Sequence, residues 1–355
     1  MTTETTGIRP QVHEPEPRIR AAGGEAGAAP SASPPDERRT RKRRERPSDV
    51  ARRLPLAARI RRDWVLLLFA LPGMVLLLTF HYIPLLGNVI AFQDYLPFLG
   101  ITGSPWVGFD NFAVFINGDP AFLNAMKNTL ILTLIQTVFV FPLPIVLALM
   151  LNSLLSEHVK KFVQSVLYLP HFLSWVVVIA IFQQILGGNG LVNNWLRAQG
   201  ADALQIFGNP DVFFTLLTSQ VVWKDTGWAT ILFLAALSQI DAQLYEATSV
   251  DGANRWQQLW HVTLPGLRGI ILLLLILKLG DSLSVGFEQI IIQQPAVGQA
   301  ASEVLDTYVY NNAIINGAWG VSAAVGLAKG IVGTVLVFGA NKIAHIFGEA
   351  GVYQR

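Results

Sequence analysis

Six apolar stretches follow one another along this chain, at 64–83, 128–151, 163–186, 212–237, 269–290 and 321–343. Each approaches the roughly 20 residues that a helix, rising about 1.5 Å per residue, needs to cross about 30 Å of hydrocarbon. The pattern predicts an all-α polytopic membrane protein with six transmembrane helices. Pro72, Pro142 and Pro144 fall inside these stretches, where proline bends a membrane helix without abolishing it. Residues 1–60 show no apolar period and are rich in Pro, Ala, Gly, Glu and Arg. Such a segment buries too little to offset its ordering entropy, so it is expected to be a disordered tail. The membrane domain is then 61–350. No loop is large enough for a second domain, and neither heptads nor internal repeats are visible.

Composition agrees with a membrane protein. Apolar residues make up 52% of the chain, charged residues 14%, and the mean hydropathy is +0.44; a soluble domain carries about 25% charged residues. Fifteen of the 26 Lys and Arg precede Asp63. The basic run Arg38-Arg39-Thr40-Arg41-Lys42-Arg43-Arg44 lies close before the first span, where positive charge is retained in the cytoplasm and meets anionic lipid. Membrane lipid, not nucleic acid, is therefore its expected partner. A cleaved leader is not expected, because the first apolar stretch is long and distant from Met1. Lys160, Lys161, Arg255 and Arg268 fall on the same side as the tail, while the opposite loops hold little beyond Arg197 and a span-edge Lys127. The positive-inside rule then places both termini and the loop after the fourth span in the cytoplasm. Trp106, Trp195 and Trp319 lie in the opposite loops and suit a membrane–water boundary.

The cytoplasmic loop, 238–268, has its own local code. Asp241 is placed to cap a short helix, and Asn254 to cap a second. Gly252 between them can take the positive φ that reverses the chain. Leu264-Pro265 is expected to end the second helix, since proline disfavours helix in the residue before it. The predicted result is a helix–turn–helix on the cytoplasmic surface. Such a protruding helix can fit a cleft on a partner; the alternative is an amphipathic interfacial helix without a partner, as Trp256 and Trp260 suggest.

Tyr245-Glu246-Ala247, then Asp251-Gly252-Ala253, then Leu264-Pro265 twelve residues after the glycine, resemble the coupling loop (EAA motif) of binding-protein-dependent ABC importer permeases of the MetI-like, MalF type. Thr248 stands where that family usually has alanine, a small-for-small change. Over about residues 60–350 the chain is similar to the LplB-like polysaccharide or aldouronate transport permeases. Tyr82-Ile83-Pro84, Tyr168-Leu169-Pro170-His171-Phe172, Val285-Gly286-Phe287-Glu288-Gln289 and Leu305-Asp306-Thr307-Tyr308 carry that likeness. It implies a translocating subunit for an oligosaccharide, acidic, uronide-type ones included. The implied partners are two ATP-binding subunits, a second six-span permease and an extracytoplasmic solute-binding protein. By the same resemblance, Glu246 would meet a basic residue on the ATP-binding subunit.

The chain lacks Gly-x-x-x-x-Gly-Lys-Ser/Thr, so it has no phosphate-cradling loop of that class. It also lacks a zinc-protease helix and a Gly-x-Ser-x-Gly elbow, and it contains no cysteine. Neither enzymatic activity nor a cofactor or metal is expected. The rival readings are a proton-coupled secondary transporter, using intramembrane Asp and Lys, and a membrane-embedded sugar transferase.

Charges inside the spans are costly and face a cavity or a partner. Lys224 and Asp225 lie on the fourth span, Lys278, Asp281 and Glu288 on the fifth, Lys329 on the sixth. Counting about 1.5 Å per residue puts Lys278 roughly 13 Å and Asp281 roughly 18 Å from one face, and Lys329 roughly 12 Å from the other. These counts predict a midplane polar layer, with Asp281 and Lys329 as a pair. It either lines a hydrophilic path or only fixes helix packing. Phe287, Glu288, Gln289, Tyr308, Tyr310, Trp223 and Trp228 are candidates for sugar contact through hydrogen bonds and stacking, against helix packing as the alternative. His171, after Pro170, is expected to hydrogen-bond at a kink.

Overall fold

A computed structural model of the protein describes residues 56–346 together with 348 and 351. Of the tail expected at 1–60, residues 1–55 lie outside the described residues, and 56–60 are helical, leading into the first span. Among them there is no strand, only an isolated bridge between Gln93 and Trp106. The helices are α1 (Arg61–Phe92), α2 (Pro120–Asn152), α3 (Glu157–Tyr168), α4 (Trp175–Leu186), α5 (Leu191–Ala198), α6 (Phe213–Leu237), α7 (Ala242–Val250), α8 (Arg255–Gly280), α9 (Phe287–Val297), α10 (Leu305–Tyr310) and α11 (Trp319–Ile346).

Among the described residues five helical runs are long and apolar enough to cross a membrane: α1, α2, α4 continued into α5, α8 and α11. The remaining expected span is α6. It has 25 residues, about 37 Å at 1.5 Å per residue, and carries Lys224 and Asp225 at its middle.

Two expected spans have different limits. The stretch at 163–186 is not one helix. α3 stops at Tyr168, residues 169–172 form a tight turn around Pro170, Leu173 is extended, and the Ser174 hydroxyl accepts from the Val177 N–H to start α4. Proline has no N–H to continue the ladder and restricts the residue before it, so the break falls there. The stretch at 269–290 is also divided. α8 starts earlier, at Arg255, and ends at Gly280. Residues 281–286 are non-helical, and Gly286 adopts the left-handed region (φ +66°) before α9 begins. The Thr133 hydroxyl of α2 donates to the Ser282 carbonyl and so satisfies part of the broken backbone. Glu288 and Gln289 therefore belong to a separate helix, and a depth counted continuously from Gly269 does not reach them.

Three apolar clusters are strung along α2. Phe122 and Ala125 pack with Leu283, Leu305, Tyr308 and Val325. Leu132 packs with Phe213, Leu217, Val285 and Ile290. Ala148 packs with Phe233, Leu237 and Leu267 beside the start of α7. The two ends of α2 thus mark opposite faces, the α7 loop lying at its Asn152 end. Within a bilayer, burial of apolar surface does not drive helices together, so close packing of small residues must. Gly227 of α6 lies against the backbone of Leu167, where a Cβ would overlap the carbonyl. Gly280 and Gly333 bring α8 and α11 together: a Cβ on Gly333 would come within 2.7 Å of the Gly280 carbonyl oxygen.

Candidate functional site: a capped loop and the charges within the bundle

The 238–268 loop forms by local capping. Asp241 accepts from the Gln243 N–H at 2.9 Å and starts α7. Asp251, Gly252 and Ala253 send their N–H groups back to the carbonyls of Ala247, Ser249 and Thr248, with Gly252 at φ +81°. Asn254 and Gln257 then form a reciprocal capping box, at 2.8 and 2.9 Å, that starts α8. Both caps and the glycine turn are where their residue types predict.

Leu264-Pro265 behaves otherwise. It does not end a helix. Residues 259–263 form one wide turn and the helix runs on through Pro265 to Gly280. The wider turn absorbs the proline, whose missing N–H would break a regular ladder. α7 is fastened to this continuous helix. The Tyr245 hydroxyl and Thr263 Oγ1 are 3.0 Å apart, and Gln258 Nε2 donates to Ser249 Oγ at 2.8 Å. At the foot of the loop, Gly266 lets Ile240 approach so closely that a Cβ would lie 2.8 Å from its Cδ1. Glu246, Ala247, Asp251 and Gly252 are exposed, Ala253 and Tyr245 half-buried, and Leu264 and Pro265 lie at the base. Leu244 and Val250 also expose apolar side chains on α7. The result is an exposed helix tied to α8 by side-chain hydrogen bonds.

Within the bundle the candidate residues divide by accessibility. Lys224 is 7% exposed, and its ammonium donates to the carbonyls of His171 and Leu173 at 2.6 and 2.7 Å, satisfying the broken turn after Pro170. It also sits 5.5 Å from the ring centre of Trp175. Gln289 is 1% exposed, its amide committed to the Leu217 carbonyl and to Gln220. Gln220 also exchanges hydrogen bonds with Gln293, so these amides tie α9 to α6. Tyr308 is 3% exposed and donates its hydroxyl to Asp119 at 2.9 Å.

The remaining candidates are more open. Asp225 is half-buried and lies 3.0 Å from His171 Nδ1, while the His171 ring stacks on Trp228 with centres 4.7 Å apart and planes 4° apart. Trp223 meets Phe182 edge-on, and Phe287 tilts against Tyr310. Glu288 is exposed. Lys278 donates to Gln136 Oε1 of α2 at 2.9 Å.

The expected Asp281–Lys329 pair does not form. Lys329 pairs instead with Asp306 at the start of α10. Asp281 caps the end of α8, a different local frame from the continuous helix assumed in the depth count. Both residues nevertheless line one cleft of about 490 Å³ between α8 and α11, with Ser284 and Thr334. Asp306 and Gln136 were missed as partners because nothing local marks them: they stand 23 and 142 positions from their lysines.

A helical bundle of membrane-length spans, with an internal Lys329–Asp306 pair, a cleft holding Asp281 and Lys329, and an exposed capped loop, defines a multi-pass membrane protein. The family model described as "Binding-protein-dependent transport system inner membrane component" matches residues 140–348, and the chain belongs to that family. It is 44% identical over 289 residues to the polygalacturonan/rhamnogalacturonan transport system permease protein YteP of Bacillus subtilis (strain 168), covering 81% of this chain and 90% of that protein. It is 41% identical over 297 residues to Protein LplB of the same organism, covering 83% and 93%. Among solved structures, a chain of a bacterial alginate ABC transporter, crystallised in complex with alginate pentasaccharide-bound periplasmic protein, matches at a TM-score of 0.75 and 36% identity, covering 84% of this chain and 99% of that one. This chain is thus a cell-membrane permease of the carbohydrate ABC importer class, in a family of transport components and not of enzymes.

Proposed function

We propose that this chain translocates an acidic, uronide-type oligosaccharide, powered by two ATP-binding subunits that dock on its 238–268 loop. The observation that carries the docking role is α7: a capped, exposed helix, fixed through Tyr245–Thr263 and Gln258–Ser249 to a helix that runs unbroken to Gly280. A push on Glu246 and its neighbours has a rigid path into the bundle. In this reading the loop and both termini face the cytoplasm. A second six-span permease completes the pathway, and a solute-binding protein delivers the sugar on the other side. Alternating access follows as rigid-body movement of packed helices.

Support for an acidic cargo comes from relatives. YteP is described as a transporter of polygalacturonan and rhamnogalacturonan, and a second structural match, at a TM-score of 0.74 and 37% identity, is involved in the import of "the acidic polysaccharide alginate". In this chain, the path residues are the accessible candidates: Trp223 and Asp225 on α6, Lys278 and Asp281 on and after α8, Phe287 and Glu288 on α9, and Lys329 on α11. The cleft holds Asp281, Ser284, Lys329 and Thr334 between two otherwise apolar helices, which gives a sugar groups to hydrogen-bond along that route.

Uptake of oligogalacturonides into vesicles holding the purified transporter tests the reading. The expected result is uptake that needs ATP and the ATP-binding subunits and persists with uncouplers. Proton-driven uptake by this chain alone would overturn it in favour of a secondary transporter. Preference for neutral oligosaccharides at equal concentration would overturn the acidic cargo alone.

A further inference from the structure

α9 ends at Gly298, where φ is +89° and the chain turns back. It returns through α10 and a wide turn at 311–315, so that the last turns of α9 and this wide turn lie side by side. Wide turns of this kind often mark functional positions. α2 holds the hairpin from its Pro120 end: Asn124 and Asn128 donate to the carbonyls of Ala300 and Glu303 at 2.7 and 2.9 Å, and the Tyr308 hydroxyl donates to Asp119. The hairpin therefore lies toward the face opposite the α7 loop.

Between its two arms is a pocket of about 470 Å³, walled by Ile291 and Ile315 and carrying Gln294, Gln299, Tyr310 and Asn311. Small-molecule sites span roughly 300–1,000 Å³ and combine apolar walls with a few fixed polar groups. Tyr310 is 38% exposed, and Phe287 tilts against its ring with centres 5.6 Å apart. Phe287 begins α9, so the ring that borders the pocket also touches a residue of the proposed path.

One polar group of the pocket has no partner. Gln294 and Asn311 are 6% and 4% exposed. Asn311 Nδ2 donates to Glu303 Oε1 at 2.9 Å and to Gln294 Oε1 at 3.2 Å. The carboxyl group fixes the Asn311 amide, and Asn311 in turn fixes Gln294, because a reversed Gln294 would set two NH2 groups against each other. Gln294 Nε2 is left buried without an acceptor, a state that costs free energy until an acceptor arrives. A lipid chain supplies none, whereas a sugar hydroxyl both accepts and donates. Neither Lys nor Arg lines the pocket, and Glu303 lies behind Asn311, so a cargo carboxylate finds no cation there.

We propose that this pocket is a subsite for one pyranose ring of the cargo, with a ring hydroxyl accepting from Gln294 Nε2, the apolar ring face against Tyr310, and no contact that reads the carboxylate. The proposal rests on the sugar cargo proposed above and adds a division of labour to it. The hairpin recognises the hydroxylated ring, and the charge of an acidic cargo is met elsewhere along the route.

The chain has no cysteine, so a single reporter is clean. Ile315→Cys, at the exposed rim of the pocket, would be labelled by a water-soluble thiol reagent in the complete transporter, with cysteine-free partner subunits, in vesicles. Asn117→Cys, exposed and outside the pocket, serves as comparison. Trigalacturonate and its methyl ester should slow labelling of Ile315→Cys at similar concentrations and leave Asn117→Cys unchanged. Adding Gln294→Leu or Tyr310→Ala should raise the half-protecting concentration of both sugars roughly 5–10-fold, the loss of one such contact; two variants keep the test valid if one fails to fold. Labelling indifferent to sugar would overturn the proposal. So would an Ile315→Cys that resists the reagent without sugar, which means lipid or a partner subunit covers the pocket, or protection that both added variants leave intact. ATP-driven uptake of trigalacturonate in the same vesicles separates the two readings. Uptake without protection sinks the subsite alone, and protection without uptake sinks the transport reading alone.

Discussion

Gly252 offers a clean test of the loop, because its surroundings and its backbone make opposite demands. No atom lies within 4 Å of where a Cβ would be, so a larger side chain meets no obstacle. The backbone, however, is at φ +81°, a conformation that costs an L-residue roughly 1–2 kcal/mol and costs asparagine less. The N–H groups of Asp251, Gly252 and Ala253 all bond back into α7, so the turn cannot relax without releasing that helix end. In a Gly252 variant, an undocked loop can relieve the strain by releasing that helix end; a docked one must hold the turn. The strain should therefore appear as lost docking free energy, and about 1–2 kcal/mol weakens binding roughly 5–30-fold. The assay is binding of purified ATP-binding subunits to vesicles of Gly252→Asn, Gly252→Ala and Gly252→Val proteins, with ATP-driven uptake measured alongside. Affinity should be highest for the parent, lower for Gly252→Asn, and lowest for Gly252→Ala and Gly252→Val. Thermal unfolding of the bundle should stay unchanged, since the position is exposed. A Gly252→Val protein that binds as tightly as the parent, or a Gly252→Asn protein that binds worse than Gly252→Ala, would refute the reasoning.

Other outcomes follow from the packing. Gly227→Ala should destabilise the bundle by about 1–3 kcal/mol, as overpacking does, whereas Gly326→Ala, with nothing within 4 Å, should leave the melting temperature in detergent unchanged. In a double-mutant cycle, Lys329→Met and Asp306→Asn should couple by roughly 0.5–3 kcal/mol; coupling of Lys329 to Asp281→Asn of the same size would show that the observed pair is not the operative one. Asn254→Ala removes a capping box and should cost the α8 start about 1 kcal/mol, seen as faster amide exchange at Gln257 and Gln258 with the α2 and α6 amides unaffected.

How far the fold could be read from the chain depends on whether a feature is written locally. Asp241, Gly252 and Asn254 act within three residues of themselves, and the structure places all three as their residue types require. Hydropathy likewise marks where apolar helices lie, because the requirement to cross a bilayer is carried by every residue of a span. The end of α8 is written differently. Leu277-Lys278-Leu279-Gly280-Asp281-Ser282 offers a glycine, but glycine is frequent inside membrane helices, and the apolar run resumes at Ile290, so a periodic reading passes straight through. What stops the helix is remote: Thr133 of α2 takes the Ser282 carbonyl, and Val337 and Gly333 of α11 close on Gly280. Pro265 shows the converse, a strong local stop signal overridden by one wide turn because the helix must stay rigid between α7 and the bundle. The lysine contacts obey the same division. Residue type told that Lys278 and Lys329 needed partners in a low-dielectric site, but only the packing of α2 and α10 against them selects Gln136 and Asp306. Under the proposed mechanism this division has a functional sense. The docking loop must keep its shape while its partners come and go, so its code is local; the polar contacts of the interior must change as access alternates, so they are made between elements that can move apart.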